Sequence, residues 1–162
     1  MIELVLVLVM VMILSRAVVS AITNSINRIR LENASDKVAS DIRYAQYMST
    51  STAVWHAISF ETTPTNRYTV YTTTATADAT VKDPADQRSN YIVNLSTVYG
   101  TSISTVTVET GVKKLEFSPS GAPYTDRTTA QPISSESVVT LSNNAGTRTV
   151  RVTPRTGRVY QQ

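Results

Sequence analysis

The chain opens with a run of apolar residues that is long enough to cross a membrane. From Met1 to Leu14 every residue is apolar except Glu3, and the apolar character resumes after Arg16 to reach Ile22. About 22 residues at a rise of 1.5 Å each span roughly 33 Å as a helix, which covers the hydrocarbon core of a bilayer. A half-buried strand would alternate apolar with polar residues, and this segment does not. The sequence therefore predicts a membrane-spanning helix.

Two charged residues interrupt this segment. A secretory signal peptide would carry a basic residue before its apolar core, whereas this chain carries the acidic Glu3 there, and no small-x-small cleavage site follows. A carboxylate inside a bilayer costs a few kcal/mol unless it is paired. The helix N-terminus compensates part of that cost, and the amino terminus of a neighbouring chain would compensate more. We therefore predict that Glu3 directs assembly between chains.

Arg16 allows two interpretations. Its side chain can extend along the helix to the headgroups, which is the common behaviour of a long basic residue near a helix end. Alternatively it forms an ion pair inside a bundle of helices, with Glu3 of another chain as the partner.

The helix is expected to continue well beyond the apolar segment, because no Gly or Pro occurs before Pro64. We divide it into an apolar half over residues 1–22 and an amphipathic half over residues 23–52, which ends in Ser and Thr residues. In the second half, charged side chains including the pair Lys37 and Asp41 predict a solvated face. Apolar positions recur at spacings of three and four residues in two successive runs, and we expect them to form one stripe that packs on the strands of the remaining chain: Ile22, Ile26 and Ile29, then Leu31, Ala34, Val38, Ile42 and Ala45.

Residues 53–162 are predicted to form a β-rich globular domain. Ser and Thr make up about a quarter of the chain, an excess that favours strands and loops over packed helices. Residues 74–90 have little apolar content and predict a mobile loop. Eight strands are predicted between turn signals: Val54–Phe60, Arg67–Thr73, Tyr91–Thr97, Ile103–Glu109, Val112–Ser118, Ser137–Ser142, Thr147–Thr153 and Arg158–Gln161.

The C-terminal segment is basic. Four arginines and no acid follow Glu136, namely Arg148, Arg151, Arg155 and Arg158. Such a group could neutralise DNA phosphates. It could equally be a solvated strand pair whose arginines form ion pairs with the acidic middle segment or contact a neighbouring subunit, and charge runs usually have that simpler role.

Nothing in the composition predicts catalysis or a cofactor. The chain has no cysteine and one histidine, His56, which excludes thiolate zinc sites, iron–sulfur clusters and attached haem. No phosphate loop or dinucleotide motif is present, and no base stands near the many serines and threonines. We therefore predict that the protein is not an enzyme and holds no metal or cofactor.

The order of these parts resembles that of type IV pilins and type II secretion pseudopilins, and the segment from Met1 to Val5 looks like their processed N-terminus. Within that superfamily the chain is most similar to the GspH/FimT-type pseudopilins. This closer likeness rests on the segments 41–45, 54–55, 115–121, 146–152 and 157–159. The resemblance implies an α+β, pilin-like fold in which a long N-terminal helix packs on a C-terminal antiparallel sheet domain.

The resemblance also implies a function in assembly. The chain would be a structural subunit that spans the bacterial inner membrane once and then enters a periplasmic or extracellular filament. Its partners would be copies of itself in a homo-oligomeric helical filament, other pseudopilins and the inner-membrane assembly machinery.

Two alternatives stay open. Some pilins that resemble this chain take up DNA through a C-terminal arginine motif, but here Arg158 is followed by Val159 and Tyr160, so the second arginine of that motif is missing. The other alternative is a single-pass anchored domain that forms no filament.

Overall fold

The computed structural model describes residues 2–74, 77–109, 111–128 and 131–162. One helix, α1 (Ile2–Thr52), forms the first third of the chain and is about 75 Å long at 1.5 Å per residue. Its first half is exposed on all sides, and its second half lies against the sheets. The prediction of a single uninterrupted helix ending near Thr52 is confirmed.

Two antiparallel sheets follow the helix. Their strands are β1 (His56–Glu61), β2 (Arg67–Thr73), β3 (Asp78–Thr80), β4 (Ile92–Asn94), β5 (Ser102–Thr107), β6 (Lys114–Phe117), β7 (Pro123–Tyr124), β8 (Ser137–Asn143), β9 (Gly146–Val152) and β10 (Val159–Gln161). The first sheet has six strands in the order β3-β2-β1-β6-β7, with β4 also paired to β2, and the second has four in the order β10-β9-β8-β5.

The core lies between the second half of α1 and both sheets. Five of the predicted apolar positions of α1 are buried there: Leu31, Ala34, Val38, Ile42 and Ala45. Strand residues complete it, among them Ile58, Tyr68, Leu115, Phe117, Leu141 and Val150. The fold is therefore the predicted α+β arrangement, with a long helix packed on antiparallel sheets.

One predicted strand is partly wrong. The segment Tyr91–Thr97 forms the short strand β4 and then a helix, α2 (Leu95–Tyr99). The helix begins there because the Asn94 side chain accepts hydrogen bonds from the backbone N–H groups of Ser96 and Thr97. It ends at Gly100, whose φ of 60° is the left-handed conformation that suits glycine.

The segment 74–90, predicted as a loop, contains regular structure. Strand β3 pairs with β2, and Lys82 forms an isolated β-bridge with Asn90. Just before β3, Thr74 Oγ1 donates a hydrogen bond to the Ala77 carbonyl. Residues 75 and 76 lie outside the described residues. Pattern analysis also missed the two-residue strand β7, which pairs with β6.

Candidate assembly surface

The first half of α1 presents an apolar surface with no cover from its own chain. Its large hydrophobic side chains from Ile2 to Leu14 are between 50% and 84% exposed. Among the described residues α1 is the one helix long and apolar enough to cross a membrane, judged by length and composition. An exposed apolar surface of this extent is typical of a segment that contacts a membrane or other protein chains.

Glu3 and Arg16 both lie on this exposed half. Glu3 is in the first turn of α1, and neither side chain forms an ion pair within residues 2–162 as described. They are 13 residues apart, which corresponds to about 20 Å along the helix axis. A Glu3–Arg16 pair inside one chain is therefore impossible. Between two parallel helices it requires an axial offset of the same length.

Three isoleucines at the end of the apolar segment and just after it point away from the sheets. Ile22, Ile26 and Ile29 are 54%, 43% and 57% exposed, whereas Leu31 is buried. The two-residue step from Ile29 to Leu31 turns by about 200° around the helix, so the two positions lie on opposite sides. The interpretation of all eight apolar positions as one stripe facing the sheet is therefore wrong. The exposed isoleucines form a separate stripe, which we call the outer stripe.

The second half of α1 is fixed to the sheets by a buried carboxylate. Asp41 is 2% exposed. Its Oδ2 accepts a hydrogen bond from the Tyr68 hydroxyl at 2.6 Å, and its Oδ1 accepts bonds from the Tyr91 hydroxyl at 2.7 Å and the Lys37 ammonium at 2.8 Å. Burial, followed by the negative charge of Asp41 and the hydrogen bond to it, raises the pKa of Tyr68 well above its usual range. We call these four residues the Asp41 cluster.

Sequence reasoning missed the Asp41 cluster because it assigned Asp41 to a solvated face. The predicted pair with Lys37 is present, but its carboxylate is buried under the β-domain, while the Lys37 side chain is 34% exposed. A signal was available, since Asp41 stands three residues after Val38 and four before Ala45, on the buried side of the helix. The tyrosines that bind it are 27 and 50 residues further along the chain, and no local pattern connects them.

Four further hydrogen bonds tie the second half of α1 to loops and strand ends. Arg43 donates to the Val159 carbonyl at 3.1 Å, and Gln46 donates to the carbonyls of Gly121 and Thr156. These bonds satisfy backbone groups at the β10 edge and in two turns. At the other end of the domain, the Asn143 side chain donates to the carbonyl of Asn27 at 2.7 Å. The helix direction relative to the sheets is therefore determined at both ends of the domain.

The C-terminal arginines are distributed over three places. Arg148 is half-buried on the helix-facing side of β9, the side to which the buried Val150 and Val152 also point. Arg151 points outward, as alternation predicts. Arg155 lies in the turn after β9 with a φ of 61°, and both it and Arg158 are exposed. The four guanidinium groups therefore do not form one continuous basic surface.

Arg151 is already neutralised within the chain. Its guanidinium binds the Glu136 carboxylate at 2.5 Å, and the same carboxylate accepts a hydrogen bond from the Tyr160 hydroxyl. The bonds from Tyr160 and Arg151 lower the pKa of Glu136 below its usual value. One predicted alternative for the arginines, an ion pair with the acidic middle segment, is thus confirmed at this position.

No catalytic or metal-binding arrangement emerges in the described part of the chain. His56 is buried, and its Nδ1 lies 3.0 Å from the carbonyl of Val54. Within the same residues, no group of three or more His, Asp or Glu side chains is placed to hold a metal ion.

Comparison with solved structures finds this fold in minor subunits of two bacterial systems. The type IV minor pilin FimU of Pseudomonas aeruginosa gives a TM-score of 0.56 at 14% identity, covering 83% of this chain and 90% of that one. A second crystal form of the same pilin gives 0.52 at 13% identity, with 82% and 92% covered. The minor pseudopilin EpsH from the Type 2 Secretion System of Vibrio cholerae gives 0.60 at 9% identity, with 82% and 96% covered.

These likenesses define the class of fold. The chain has the pilin-like fold of type IV pilins and type II secretion pseudopilins, as its N-terminal sequence and element order predicted. No family model and no curated protein sequence matches it. At identities of 9–14% the shared property is the architecture, a long helix with an apolar first half against antiparallel sheets.

Proposed function

We propose that the chain is a structural subunit of a type IV pilus-like or type II secretion pseudopilus filament. The observation that carries this proposal is the contrast along α1 between an apolar, exposed first half and a second half fixed to the domain. Residues 1–22 hold the subunit in the bacterial inner membrane before assembly and pack in the filament core afterwards. Residues 23–52 carry the globular domain, residues 53–162, on the outside.

The physical step in this proposal is an exchange of lipid contacts for contacts between helices. Lipid tails are as apolar as leucine, so the exchange gains little from the hydrophobic effect and depends on close packing and on polar contacts. The segment is rich in Val, Leu and Ile, and its exposed surface is continuous around the helix. The outer stripe extends this surface toward the domain, on the side where the subunit's own sheets do not reach.

Glu3 supplies the selectivity that uniform apolar packing lacks. A carboxylate in the filament core is costly wherever it is unpaired, so registers that pair it are favoured over all others. Pairing with the amino terminus of a neighbouring chain requires only a small axial offset. Pairing with Arg16 of a neighbour requires about 20 Å. The axial offset between contacting helices in the filament therefore determines whether Glu3 pairs with the amino terminus or with Arg16 of a neighbour.

The partners proposed from this fold are other copies of the chain in a homo-oligomeric helical filament, together with further pseudopilins and the inner-membrane assembly machinery. Before assembly the chain is a single-pass inner-membrane protein. After assembly it lies in a periplasmic or extracellular filament. We propose no catalytic activity and no cofactor for it.

Glu3→Ala tests the assembly role. The variant is expected to remain in the membrane fraction, because the apolar helix is intact, and to fall at least tenfold in the sheared filament fraction. Glu32→Ala is the matched control, since Glu32 is an exposed acid on the same helix outside the apolar half. Filament yields that are the same for Glu3→Ala, Glu32→Ala and the wild type would remove Glu3 from assembly.

A second candidate function is DNA binding by a minor pilin. The observation in its favour is that Arg155 and Arg158 are exposed and form no ion pair among the described residues. Two arginines would neutralise about two phosphates, which gives a salt slope near −1.8 and weak binding at physiological salt. Micromolar binding of duplex DNA by the full chain in detergent at 150 mM salt, lost in Arg155→Gln/Arg158→Gln, would favour this function over a purely structural one.

A further inference from the structure

The end of the domain nearest the apolar half-helix lies against α1 through a tight turn. Strands β8 and β9 are joined there at Asn143 and Gly146, which pair with each other. The Asn143 side chain holds this turn on the helix by donating to the Asn27 carbonyl at 2.7 Å. We call this end, with the adjacent helix residues 24–30, the proximal end.

The length of α1 places the proximal end at the depth of lipid headgroups. Ile2 to Ile22 measures about 30 Å along the axis, the thickness of the hydrocarbon core. Asn27 is about 7.5 Å further and Arg28 about 9 Å further. Headgroups occupy about 5–8 Å on each side of the core. A chain anchored by its apolar half therefore has the β8–β9 turn at the membrane surface.

A polar cleft opens at this depth between the helix and the turn. Its volume is about 390 Å³, and it is lined by Asn24, Ser25, Arg28, Asn144 and Ala145. A guanidinium together with hydroxyl and amide groups is a donor set that suits a phosphate, since each group can donate hydrogen bonds to its oxygens. The lining contains no acid.

Two further arginines lie near this end of the domain, and Arg30 projects from the side of α1 opposite to Arg28, because a step of two residues turns by about 200°. The Arg30 side chain lies beside Gly100 at the C-terminal end of α2. Its guanidinium is 3.8 Å from the position that the Cβ of a larger residue at Gly100 would occupy. Arg148 lies two residues into β9 from the turn. In the described residues Arg28, Arg30 and Arg148 form no ion pair, and the nearest acid on the helix is Glu32. The proximal end therefore has a net positive charge.

We propose that the proximal end binds the phosphate headgroup of an anionic phospholipid while the subunit is held in the membrane, with Arg28 as the direct ligand and Arg30 and Arg148 as supporting charges. This inference rests on the membrane-anchored stage of the proposed function and not on filament formation. Binding would fix the orientation of the domain relative to the membrane surface, and the lipid contact would be lost when the helix leaves the bilayer. Basic residues near a membrane surface attract anionic lipids and lose that attraction as salt rises.

Lipid selectivity measured by spin-label spectroscopy tests this inference. The full chain is reconstituted in phosphatidylcholine vesicles that contain a trace of spin-labelled phosphatidylglycerol or spin-labelled phosphatidylcholine. The motionally restricted fraction of each label gives its relative affinity for the protein. We expect phosphatidylglycerol to be preferred several-fold, and we expect Arg28→Gln/Arg148→Gln to reduce that preference by at least half. The single variant Arg28→Gln, at an exposed position, should reduce it in the same direction.

The control removes the same charge from the other end of the domain. Arg155→Gln/Arg158→Gln alters exposed arginines beside the turn that contacts Gln46, about 28 Å further along α1 than Asn27. It should keep the wild-type preference, and Arg28→Lys/Arg148→Lys should keep most of it. Equal preference for the two lipids in the wild type, or equal loss in both glutamine pairs, would overturn the inference.

Two further outcomes distinguish lipid binding from a general anion site and from contacts between subunits. If soluble inorganic phosphate abolished the preference as effectively as the arginine substitutions, the cleft would be a general anion site and the lipid assignment would be wrong. If Arg28→Gln/Arg148→Gln kept the preference but lowered filament yield, the arginines would contact neighbouring subunits instead. Absence of restricted lipid of either kind would show that the chain is not anchored, which would overturn the proposed function as well.

Discussion

The two halves of α1 belong to one continuous helix but depend on different partners. In the second half, the polar side chains Asp41, Arg43 and Gln46 each bind a group of the β-domain. In the first half, Ser15 binds only the carbonyl four residues before it, and the apolar side chains are exposed. Among the described residues, the β-domain therefore packs against the second half of the helix and leaves the apolar side chains of the first half exposed.

The largest contrast is expected from the same substitution in the two halves. Ile42→Ala removes a fully buried side chain between helix and sheets and should lower the free energy of unfolding by about 2–5 kcal/mol. Ile13→Ala, at a position 64% exposed, should change it by less than about 0.5 kcal/mol. Urea titration of both full-length variants in detergent measures this. Similar losses in both would contradict the division of the helix.

Removing the buried carboxylate should come next in size. Asp41→Ala leaves two tyrosine hydroxyls and the Lys37 ammonium without their acceptor, so we expect a loss of about 3 kcal/mol. The matched control is Asp36→Ala, which removes an exposed acid that accepts one bond from Gln161 and should cost about 0.5 kcal/mol or less. Thermal unfolding followed by circular dichroism compares them. A mild effect at Asp41 would mean that the helix is held mainly by apolar packing.

Two serines, one in each half of α1, allow the same comparison with a smaller expected effect. Ser49 Oγ accepts the backbone N–H of His56 at 3.1 Å in a buried position, so Ser49→Ala leaves that donor unsatisfied and should cost about 1–2 kcal/mol. Ser15→Ala removes only a local bond on the exposed half and should have no measurable effect on unfolding of the domain. Chemical denaturation of the two variants provides the test, and equal effects would count against it.

The smallest expected effect is a decrease in the stability of the folded chain at alkaline pH. Burial, outweighing the bond from Lys37, raises the pKa of Tyr91 to about 12 from an ordinary value of 10.0. Above about pH 10 the unfolded chain therefore releases a proton that the folded chain keeps, and stability falls as the pH rises toward 12. Tyr91→Phe should reduce this slope by up to one proton. Tyr47→Phe, at an exposed position, should leave it unchanged, and an identical slope in both would refute the argument.

Much of the fold could be predicted because its signals are local. The absence of Gly and Pro indicated that α1 continues past the apolar segment, and the Ser and Thr residues at 49–52 indicated its end. Alternation placed Val150 and Val152 inside and Arg151 outside. What was missed depends on contacts distant in sequence. The acceptor for Tyr68 and Tyr91 is on a helix far from both, and the partner of Arg151 lies 15 residues away. The short helix α2 was missed because β-branched residues favoured a strand, while the Asn94 cap and Gly100 determined the outcome.

For the candidate site, the sequence identified the charged residues but not their arrangement. Glu3 and Arg16 are evident from the sequence because they are charged residues in an apolar segment. Their separation of about 20 Å, which excludes a pair within one chain, follows only from the observation that the helix is continuous. The outer stripe could have been separated from the buried stripe by the two-residue step between Ile29 and Leu31. The four arginines are close together in sequence only: alternation along β9 puts Arg148 and Arg151 on opposite faces, and Arg155 and Arg158 follow in and after the next turn.

Electron microscopy of sheared surface filaments, with mass spectrometry of their subunit, tests whether this chain forms filaments through its apolar half-helix. We expect filaments that contain this chain, with residues 2–22 in the core, the outer stripe against neighbouring helices and the β-domain outside. Glu3 should lie beside a cation of an adjacent chain. Filaments that lack the chain, or a filament in which residues 2–22 face solvent, would contradict it.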